Sequence, residues 1–415
     1  MTRSPTCRAC GTGLAQTFVD LGSTPLANSY LRVEDLAKPE ATYPLHARVC
    51  PQCRLVQVEA AASPHEIFSH YSYFSSYSAQ WVEHARQFAV MATTRWNLGP
   101  GTRVVEVASN DGYLLQHFLN RGTHVLGIDP AANVAAVAQK IGVKTEVAFF
   151  GRETARRLAE RGEAADLIIA NNVLAHVPDI NDFVAGLAIM LKPDGVVSLE
   201  FPHLLQLVRN IQFDTIYHEH FSYLSLFATE ALLNRHQLRV FDLTELPTHG
   251  GSLRVMACKS SSTAHSGRQA LAKVRADEVA AHFDTDAGYA GFSPKVRDVQ
   301  TAFVEFLRTA KRDGKSVAAY GAAAKGNTLL NTCGIDTELI QYVVDLNPHK
   351  QGLYLPGSHL PIHPPSRLLE TRPNYIVILP WNLKDEIVGQ MSAVGDWGGR
   401  FVVAVPKLFI FAPNR

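Results

Sequence analysis

Apolar and polar positions follow a recognisable order between residues 102 and 130. Three valines within 104–107 form a short apolar run, which is typical of a buried strand. A turn of small and polar residues follows, and apolar residues then recur at helical spacing over 113–119. A second apolar run, 124–128, ends on Asp129. The pattern predicts a βαβ unit, and such units bind ligands at the carboxyl ends of their strands.

The turn of this unit indicates which ligand it holds. A dinucleotide site would carry G-x-G-x-x-G, and residues 106–112, EVASNDG, lack that pattern. An acid at the end of the first strand and a polar turn suit a cofactor without phosphates. S-adenosylmethionine (SAM) is such a cofactor, and we favour it over an α/β unit that binds no ligand. Asp129 is placed to accept from the ribose hydroxyls. The residues expected at the methionine end are Glu106, Ser109, Asn110 and Gly112.

Alternating apolar and polar segments continue beyond the βαβ unit. They predict helices at 133–141 and 183–191 and strands at 143–147, 166–174 and 196–201. Because the carboxyl ends of parallel strands share one edge, polar residues that follow these strands should lie on one rim. Asn172 is assigned to the cofactor there and His203 to the substrate. The full predicted rim is Glu106, Asp129, Asn172, His176 and His203.

Aromatic residues near this unit are candidates to cover the cofactor. Phe149 or Phe150 could pack on an adenine, although core packing is the commoner role of each ring. An aromatic and hydroxyl-rich segment, 70–78, precedes a predicted helix at 80–95. It is either a linker with packed rings or a flap that covers the cofactor, since tyrosine serves both purposes. We include Tyr71 among the cofactor-binding candidates.

The densest acid–base cluster lies at 217–223, YHEHFSY. Neutral imidazole is the usual general base near pH 7, and a neighbouring carboxylate can fix its tautomer. The cluster lacks the spacing of H-E-x-x-H metal sites, and a solvated loop would not explain its interleaved aromatics. In an extended segment His218 and His220 would share a face. In a helical turn Tyr217 and His220 would be i, i+3 neighbours, and we prefer that arrangement.

The C-terminal part again predicts α/β structure. After a helical connector at 261–295 come a helix at 297–312 and strands at 317–320, 342–345, 375–379 and 401–405. The loop 321–327, GAAAKGN, resembles a phosphate-cradling turn, but its lysine precedes the second glycine, so it is not a Walker A loop. Lys325 with backbone amides could bind a diphosphate, and Asn327 could make polar contacts. A purely structural Rossmann-like half remains equally open.

Two C-x-x-C pairs, Cys7/Cys10 and Cys50/Cys53, stand near the N-terminus. Two such turns can supply four thiolates to a tetrahedral zinc ion, and a small domain gains folding free energy from it. A redox role would need only one pair. With sulfur in all four positions the site would be structural, with zinc favoured and iron still open.

Composition narrows the functional classes. The chain has 415 residues and a net charge of +1, so several domains are expected and no electrostatic argument supports nucleic acid or a membrane as partner. The competing class is a zinc-dependent RNA- or protein-binding module. Such a module would have a basic, aromatic surface, and the balanced charge argues against it. No apolar run approaches the length of a membrane span, and the first ten residues lack the apolar core of a secretory signal. We expect a cytoplasmic, monomeric enzyme.

Together these motifs resemble the SAM-dependent C-methyltransferases of deoxysugar biosynthesis. The resemblance rests on CRAC and CPQC, EVASNDGYLL, NNVLAHVPD, DTIYHEHFSYLS, THGGSLRV and YGAAAKGNTLLN, in that order. It implies an α/β protein with a small N-terminal zinc domain (1–70), a central Rossmann-like SAM methyltransferase domain (71–260), and a connector with a C-terminal Rossmann-like nucleotide-sugar domain (261–415). One departure is Ala108, where the family usually carries glycine.

The resemblance also implies a reaction. The substrate would be a nucleotide-linked 4-keto deoxysugar, with dTDP as the expected nucleotide and C3, next to the ketone, as the methylated carbon. His220 would be the base, Tyr217 and His176 would hydrogen-bond the enolate or keto oxygen, and Glu219 would orient a histidine. C5-methylation, or O- or N-methylation of another small metabolite, is the alternative, although the latter would not need so dense an acid–base cluster.

Overall fold

The computed structural model describes residues 5–60 and 75–413. The chain divides into two compact units. The first unit comprises Met1–Ala15, Cys50–Leu204 and Phe221–Asp286, and the second comprises Gln16–Val49, Leu205–His220 and Ala287–Arg415. Both units contain helices and largely parallel sheets, so the predicted α/β class is confirmed. The predicted domain boundaries at 70/71 and 260/261 stay a prediction, because the units are defined by contacts in space.

The described strands and helices are as follows. The strands are β1 (Gln16–Thr24), β2 (Tyr43–Val49), β3 (Val56–Val58), β4 (Arg103–Val107), β5 (His124–Asp129), β6 (Thr145–Val147), β7 (Ala165–Asn171), β8 (Leu191–Pro202), β9 (Ser222–Tyr223), β10 (Leu238–Leu246), β11 (Ser252–Lys259), β12 (Val317–Tyr320), β13 (Val343–Val344), β14 (Ile362–His363), β15 (Tyr375–Ile378), β16 (Arg400–Val403) and β17 (Phe409–Phe411). The α-helices are α1 (Ala79–Arg95), α2 (Leu115–Leu119), α3 (Ala132–Lys140), α4 (Arg152–Glu160), α5 (Ile180–Met190), α6 (Leu204–Arg209), α7 (Leu226–Asn234), α8 (Gln269–Ala280), α9 (Ala287–Ala290), α10 (Phe292–Arg312), α11 (Ala324–Thr332), α12 (Ser366–Thr371) and α13 (Lys384–Gln390).

The first unit is built on a sheet in the order β10-β11-β8-β7-β4-β5-β6. Strands β4 to β8 run parallel in their pairings, and β11 is antiparallel to both β8 and β10. Val104, Val105 and Ile168 are fully buried, as expected for strands that are covered on both faces. The predicted βαβ unit is present as β4, α2 and β5.

The strand order reverses beside β4, which pairs with β5 on one side and β7 on the other. Chain connections therefore leave β4 and β7 in opposite directions along the sheet and open a crevice beyond their carboxyl ends. The residues that follow these strands are the turn 108–112 and the pair Asn171 and Asn172. This placement makes the edge the first place to look for a cofactor.

One predicted turn is absorbed into a strand. Residues 192–195 were expected to separate a helix from a strand, and they lie inside β8. The ladder with β7 shifts register there, since Ala165 pairs with Leu191 and Leu167 pairs with Val196. The proline and glycine are thus accommodated as an irregularity in the strand.

The second unit contains a sheet in the order β14-β13-β12-β15-β16-β17. All its pairings are parallel except that of β16 with β17. Helix α10 buries residues at spacings of three, four and seven, among them Val299, Phe303 and Leu307, which is the pattern of an amphipathic helix. β12 has β13 on one side and β15 on the other, so a second crevice opens after Tyr320.

The hairpin of β1 and β2 also belongs to the second unit. Phe18 of β1 stacks on Phe292 of α10 with ring centroids 4.4 Å apart. The segment after β1 continues this association, since Leu31 bridges Tyr354. Residues 16–49, which lie between the two cysteine pairs in sequence, therefore contact the C-terminal part of the second unit. Among the described residues, no helix has the length and apolar character needed to span a membrane.

Gly127→Ala is expected to destabilise the first unit by about 1–3 kcal/mol, because overpacking a buried site forces neighbours to move. A Cβ at Gly127 would lie 2.4 Å from Ser109 Oγ and 3.0 Å from Ser109 Cβ. Urea unfolding measures the effect. The matched control is Gly99→Ala, since a Cβ there meets no atom within 4 Å. Equal losses in the two variants would contradict the close approach of β5 to the turn after β4.

Candidate active site and metal centre

Four cysteine thiols converge in the first unit. Their Sγ atoms all lie within 4.8 Å of one another. The Sγ atoms of Cys7 and Cys53 are 3.5 Å apart, and those of Cys10 and Cys50 are 3.4 Å apart. Four sulfurs around zinc, each with a Zn–S bond of about 2.3 Å, would stand roughly 3.8 Å apart. The cluster fits a tetrahedral ion whose four positions are all filled by sulfur, which is the pattern of a structural site.

Both C-x-x-C segments turn in the same way. The residue after the second cysteine has a left-handed backbone in each, with φ 80° at Gly11 and 60° at Arg54. The N–H of Gly11 donates to the Cys7 carbonyl, and that of Arg54 donates to the Cys50 carbonyl. Glycine adopts this conformation freely, whereas Arg54 does so at a cost of about 1–2 kcal/mol. The repeated turn brings the two thiols of each pair to the cluster.

Neighbouring groups favour the thiolate form of Cys7, while the pKa of its hydrogen-bond partner Cys53 is raised. The Nε2 atom of Gln57 donates to Cys7 Sγ at 3.2 Å. Hydrogen bonds from the Cys53 thiol and from Gln57 lower the pKa of Cys7 to about 4. Since the thiolate is the form that binds a metal, these partners suit a metal centre and extend it beyond the four ligands.

The turn after β4 has an unusual backbone. Ala108, Asn110 and Gly112 all have left-handed φ values, of 58°, 50° and 80°. The N–H of Ala108 donates to the Ile128 carbonyl at 2.8 Å, which holds the turn against β5. A left-handed backbone favours glycine. Glycine would therefore be expected at position 108, and the alanine of this chain costs about 1–2 kcal/mol there.

Asp129 fixes the shape of this turn. One carboxylate oxygen accepts from the Asn110 N–H at 2.9 Å, and the other accepts from the Ala131 N–H at 2.9 Å. Each carboxylate oxygen has a second lone pair, so Asp129 can still accept from a ribose hydroxyl. The predicted cofactor residues Asp129 and Asn110 are thus brought into contact.

The same edge carries buried polar atoms with no hydrogen-bond partner in the described part of the chain. An unpaired buried polar atom costs about 1–3 kcal/mol, so several together indicate a polar ligand. Burial and the charges of Asp129 and Asp111 raise the pKa of Glu106 well above its usual range. An ammonium group would relieve that carboxyl, and amide and hydroxyl donors would suit a carboxylate, so the residues fit the methionine end of SAM. The atoms are Glu106 Oε2, Ser109 Oγ, Asp111 Oδ1, Asn171 Oδ1, and both Oδ1 and Nδ2 of Asn172.

The aromatic residues considered for adenine differ in their contacts and exposure. Phe150 packs edge-on against Phe183 with centroids 5.4 Å apart, as part of the core. Phe149 is 37% exposed just after β6, at the carboxyl edge of the sheet, and its contact with an adenine stays a prediction. Tyr71 lies outside the described residues. The described segment that follows is tied to the cofactor turn, since the Ser75 and Ser76 N–H groups donate to the side chains of the adjacent residues 110 and 111.

The two rim histidines of the first unit occupy different surroundings. His176 ends the short helical turn Leu174–His176 and is half-buried. His203 is 2% exposed, and its Nε2 lies 2.7 Å from a Glu278 carboxylate oxygen. Glu278 also accepts from the N–H groups of Leu226 and Phe227 at the start of α7. His203 therefore has a structural partner, and its substrate-binding role stays a prediction.

A buried charged group that the sequence did not single out also lies at this edge. Glu200, near the end of β8, accepts from Arg254 of β11 and lies 3.0 Å from His84 Nε2 of α1. The ring of Trp81 stacks on His84 with centroids 4.9 Å apart. The group fastens α1 to the sheet, since burying Glu200 is tolerable only with such partners.

Within the second unit, Tyr217 and His220 form a hydrogen-bonded pair. The Tyr217 hydroxyl lies 2.8 Å from His220 Nε2, and His220 Nδ1 lies 2.9 Å from the Thr215 carbonyl oxygen. A carbonyl only accepts, so Nδ1 carries the proton and Nε2 offers its lone pair. The His220 N–H donates to the Tyr217 carbonyl, which closes the i, i+3 turn that we preferred. The arrangement provides a neutral imidazole with a fixed tautomer.

The neighbouring histidine has other contacts. His218 is 1% exposed, and its Nε2 lies 3.2 Å from both the Tyr43 and Pro44 carbonyl oxygens. Burial lowers its pKa, which favours the neutral ring. A buried ring that donates to two β2 carbonyls is placed to hold the loop, and His220 is the better placed of the two for proton transfer.

Glu219 is held by a residue far away in sequence. Its two carboxylate oxygens accept from Asn28 Nδ2 at 2.8 and 2.9 Å, and burial raises its pKa. The group that fixes the His220 tautomer is the Thr215 carbonyl. The expected role of Glu219 in orienting a histidine stays a prediction.

The loop after β12 places a cation beside an aromatic ring. Lys325 Nζ donates to Asn382 Oδ1 at 2.7 Å and lies 4.4 Å from the centre of the Trp381 ring. Trp381 Nε1 donates to the buried Asp214 carboxylate at 2.7 Å. Burial raises the pKa of Asp214 to about 6 and lowers that of Lys325. A lysine ammonium group has three N–H donors, and Asn382 takes one of them, so Lys325 can also donate to an anion.

Asn327 has partners within the second unit, and its expected polar contact with a nucleotide stays a prediction. It is buried, and its Nδ2 donates to the Ala27 carbonyl at 2.5 Å. Thr328 donates to the Ile216 carbonyl at 3.2 Å, which joins α11 to the turn that leads to Tyr217. A Cβ at Gly326 would lie 2.8 Å from Leu379 Cβ, so glycine allows α11 to approach the end of β15.

Three family models match the chain. They are described as "Putative zinc binding domain" over residues 7–68, "Methyltransferase domain" over 81–243 and "C-methyltransferase C-terminal domain" over 247–406. The matches follow one another along almost the whole sequence.

Individual relatives differ in how much of the chain they cover. C-methyltransferase NovU of Streptomyces niveus is 38% identical over 401 residues, which is 97% of this chain and 95% of that protein. A ubiquinone biosynthesis O-methyltransferase of Rhodopseudomonas palustris (strain BisA53) is 31% identical over 97 residues, 23% of this chain and 38% of that protein. The solved structure of Burkholderia thailandensis 1,6-didemethyltoxoflavin-N1-methyltransferase has a TM-score of 0.36 at 20% identity, covering 51% of this chain and 97% of that one. Only the first of these likenesses extends over the whole molecule.

Cys50→Ser is expected to remove stoichiometric zinc and to destabilise the first unit, because a structural zinc supplies folding free energy. Elemental analysis and a thermal melt of the purified variant measure both effects. Cys333→Ser is the control, since Cys333 lies outside the cluster. Full zinc content in the Cys50 variant, or none in the unsubstituted protein, would contradict the metal centre.

Asp129→Asn is expected to weaken SAM binding about 10- to 100-fold, the range for loss of a hydrogen bond to a charged group. Calorimetry with SAM measures it. Asparagine leaves one of the Asn110 and Ala131 N–H groups without an acceptor, whereas alanine would leave both without one. The control is Asp194→Asn, at the irregularity in β8. Unchanged affinity in the Asp129 variant would refute the ribose assignment.

Proposed function

This chain belongs to the C-methyltransferase family that includes NovU of Streptomyces niveus, and from that premise we propose that it methylates the carbon next to the ketone of a nucleotide-linked 4-keto deoxysugar. SAM is the methyl donor and zinc is the structural metal, as predicted. The expected nucleotide is dTDP and the expected carbon is C3, on the strength of the motif resemblance. C5-methylation of a related sugar is the alternative.

The hydrogen-bonded series from Thr215 through His220 to Tyr217 carries the proposal. A carbon next to a ketone loses its proton only to a base aimed at it, with a donor at the oxygen to stabilise the enolate. The Thr215 carbonyl keeps the proton on Nδ1, so the Nε2 lone pair is the base. Methylation of a hydroxyl or amine has no need for a carbon base.

The proton and methyl transfers balance in two steps. The C–H bond breaks, its proton goes to His220 Nε2, and the electron pair becomes an enolate. SAM, held by Asp129 and the turn after β4, would supply when bound the electrophilic methyl group for the enolate carbon and would retain the electron pair of the sulfur–methyl bond. Because Nε2 first accepts from Tyr217, the Tyr217 hydroxyl must give up that bond when the substrate binds. It is then free to donate to the enolate oxygen, which is worth about 3–4 kcal/mol by comparison with oxyanion holes.

The second crevice, after β12, supports a nucleotide diphosphate. Helix α11 begins at Ala324 without a side-chain cap, so its first N–H groups can donate to an anion. Lys325 adds a positive charge held over Trp381. Asp345 follows β13 and accepts from the Ala322 N–H at 2.7 Å, which orders the loop. The role of His176 as a further donor to the keto oxygen stays a prediction.

His220→Asn is expected to abolish methyl transfer and also deuterium exchange at the carbon, with SAM affinity retained. The exchange is followed by mass spectrometry in heavy water, with a dTDP-linked 4-keto deoxysugar and no SAM. Tyr217→Phe should reduce the exchange less, because it removes a donor and leaves the base. His349→Asn, an exposed histidine of the same unit, is the control.

Two outcomes would overturn the proposal. Near-normal exchange in the His220 variant would reject the base. No exchange by the unsubstituted protein with any 4-keto nucleotide sugar, together with O- or N-methylation of another metabolite, would reject the substrate class. A panel of such sugars, with the site of the new methyl group assigned by NMR, would decide between C3 and C5.

A further inference from the structure

The segment Ala27–Leu31, which follows β1, contacts both halves of the candidate substrate site of the second unit. The Tyr30 hydroxyl donates to the Ala322 carbonyl at 2.6 Å, in the loop after β12. The Ala27 carbonyl accepts from Asn327 of α11. Asn28 lies between these two contacts in sequence and donates to Glu219 of the 217–220 turn. A single short segment thus joins the loop for the nucleotide to the turn for the base.

Asn28 itself is exposed, and so contributes little by packing. Its partner Glu219 is 8% exposed. A carboxylate at that depth needs hydrogen bonds, and Asn28 gives it two contacts from one nitrogen, at 2.8 and 2.9 Å. A neutral amide supplies them without cancelling the negative charge, whereas a lysine or arginine would form an ion pair. No cation is therefore brought next to the base by this contact.

Because Glu219 lies in the turn that carries Tyr217 and His220, its hydrogen bonds with Asn28 also hold that turn. The turn is closed by the hydrogen bond from the His220 N–H to the Tyr217 carbonyl, and Glu219 lies inside it. His218 anchors the other side by its contacts with the Tyr43 and Pro44 carbonyls. With both intervening side chains tied down, the Tyr217 hydroxyl and His220 Nε2 remain at 2.8 Å. Releasing Glu219 would free one of these two anchors.

We propose that Asn28 is a positioning residue for the methyl-transfer reaction: it holds the Glu219 carboxylate, and through it the turn that carries Tyr217 and His220. This inference rests on the proposed function of the turn. Asn28 acts through Glu219 and takes no proton itself. A residue that stands between the two cysteine pairs in sequence thereby helps to position the base.

Asn28→Asp tests the proposal, because it keeps the size of the side chain and replaces the donor by a second carboxylate. Loss of a hydrogen bond to a buried charge predicts a fall of about tenfold or more in kcat for deuterium exchange. The Kd for SAM should change less than about twofold, because the cofactor residues belong to the first unit. Ser29→Asp is the matched control, with the same added charge on the next exposed residue.

A charge swap separates positioning from general damage. Asn28→Asp combined with Glu219→Gln exchanges donor and acceptor, so the pair can form again, and exchange should recover to within about threefold of the unsubstituted rate. The proposal is overturned if Asn28→Asp behaves like Ser29→Asp, if its SAM affinity and melting temperature fall together with kcat, or if the swap restores nothing. Failure of the base assignment looks different, since His220→Asn would then retain exchange.

Discussion

The hydrogen bond from His220 Nδ1 to the Thr215 carbonyl, at 2.9 Å, is the constraint on which the proposed chemistry depends. An imidazole can be a base only at the nitrogen without a proton, and the partner of the other nitrogen decides which one that is. A carbonyl oxygen can only accept, so the Thr215 carbonyl keeps the proton on Nδ1 and leaves Nε2 as the possible base. The turn must therefore keep Thr215 and His220 in place. Its anchors to β2, to Asn28 and to α11 all serve this requirement.

The fold could be predicted largely from local patterns, and the candidate site only in part. The unit β4–α2–β5 follows from three valines, a helical repeat and a terminal Asp129, all close in sequence. The i, i+3 contact of Tyr217 with His220 is equally local. Asn28 and Trp381 were not predicted, because their partners Glu219 and Asp214 lie more than 150 residues away. The hydrophobic periodicity of a single sequence does not reveal contacts between residues so far apart.

The β1–β2 hairpin shows a different limit. Leu45, Ala47 and Val49 of β2 are buried at strict alternation, so the sequence contained a strand signal there. No strand was predicted for the residues between the two cysteine pairs. Their contacts with α10 and with the loop after β12 could not follow from spacing. A segment can lie between two metal-ligand pairs in sequence and still complete another part of the molecule.

The surroundings of four buried carboxylates suggest how one kind of side chain serves different purposes. Glu200 is bonded to Arg254, and a charge with a fixed cation is suited to joining α1 to the sheet. Asp129 accepts from two backbone N–H groups and so shapes a turn while keeping lone pairs for a ligand. Glu106 has an oxygen with no described partner and a strongly raised pKa, which leaves it ready for a ligand's positive charge. Glu219 is bonded by the neutral amide of Asn28, which holds the carboxyl group in place without an ion pair. The partner of each carboxylate, more than its burial, therefore indicates whether it is structural, binds the cofactor or supports the base.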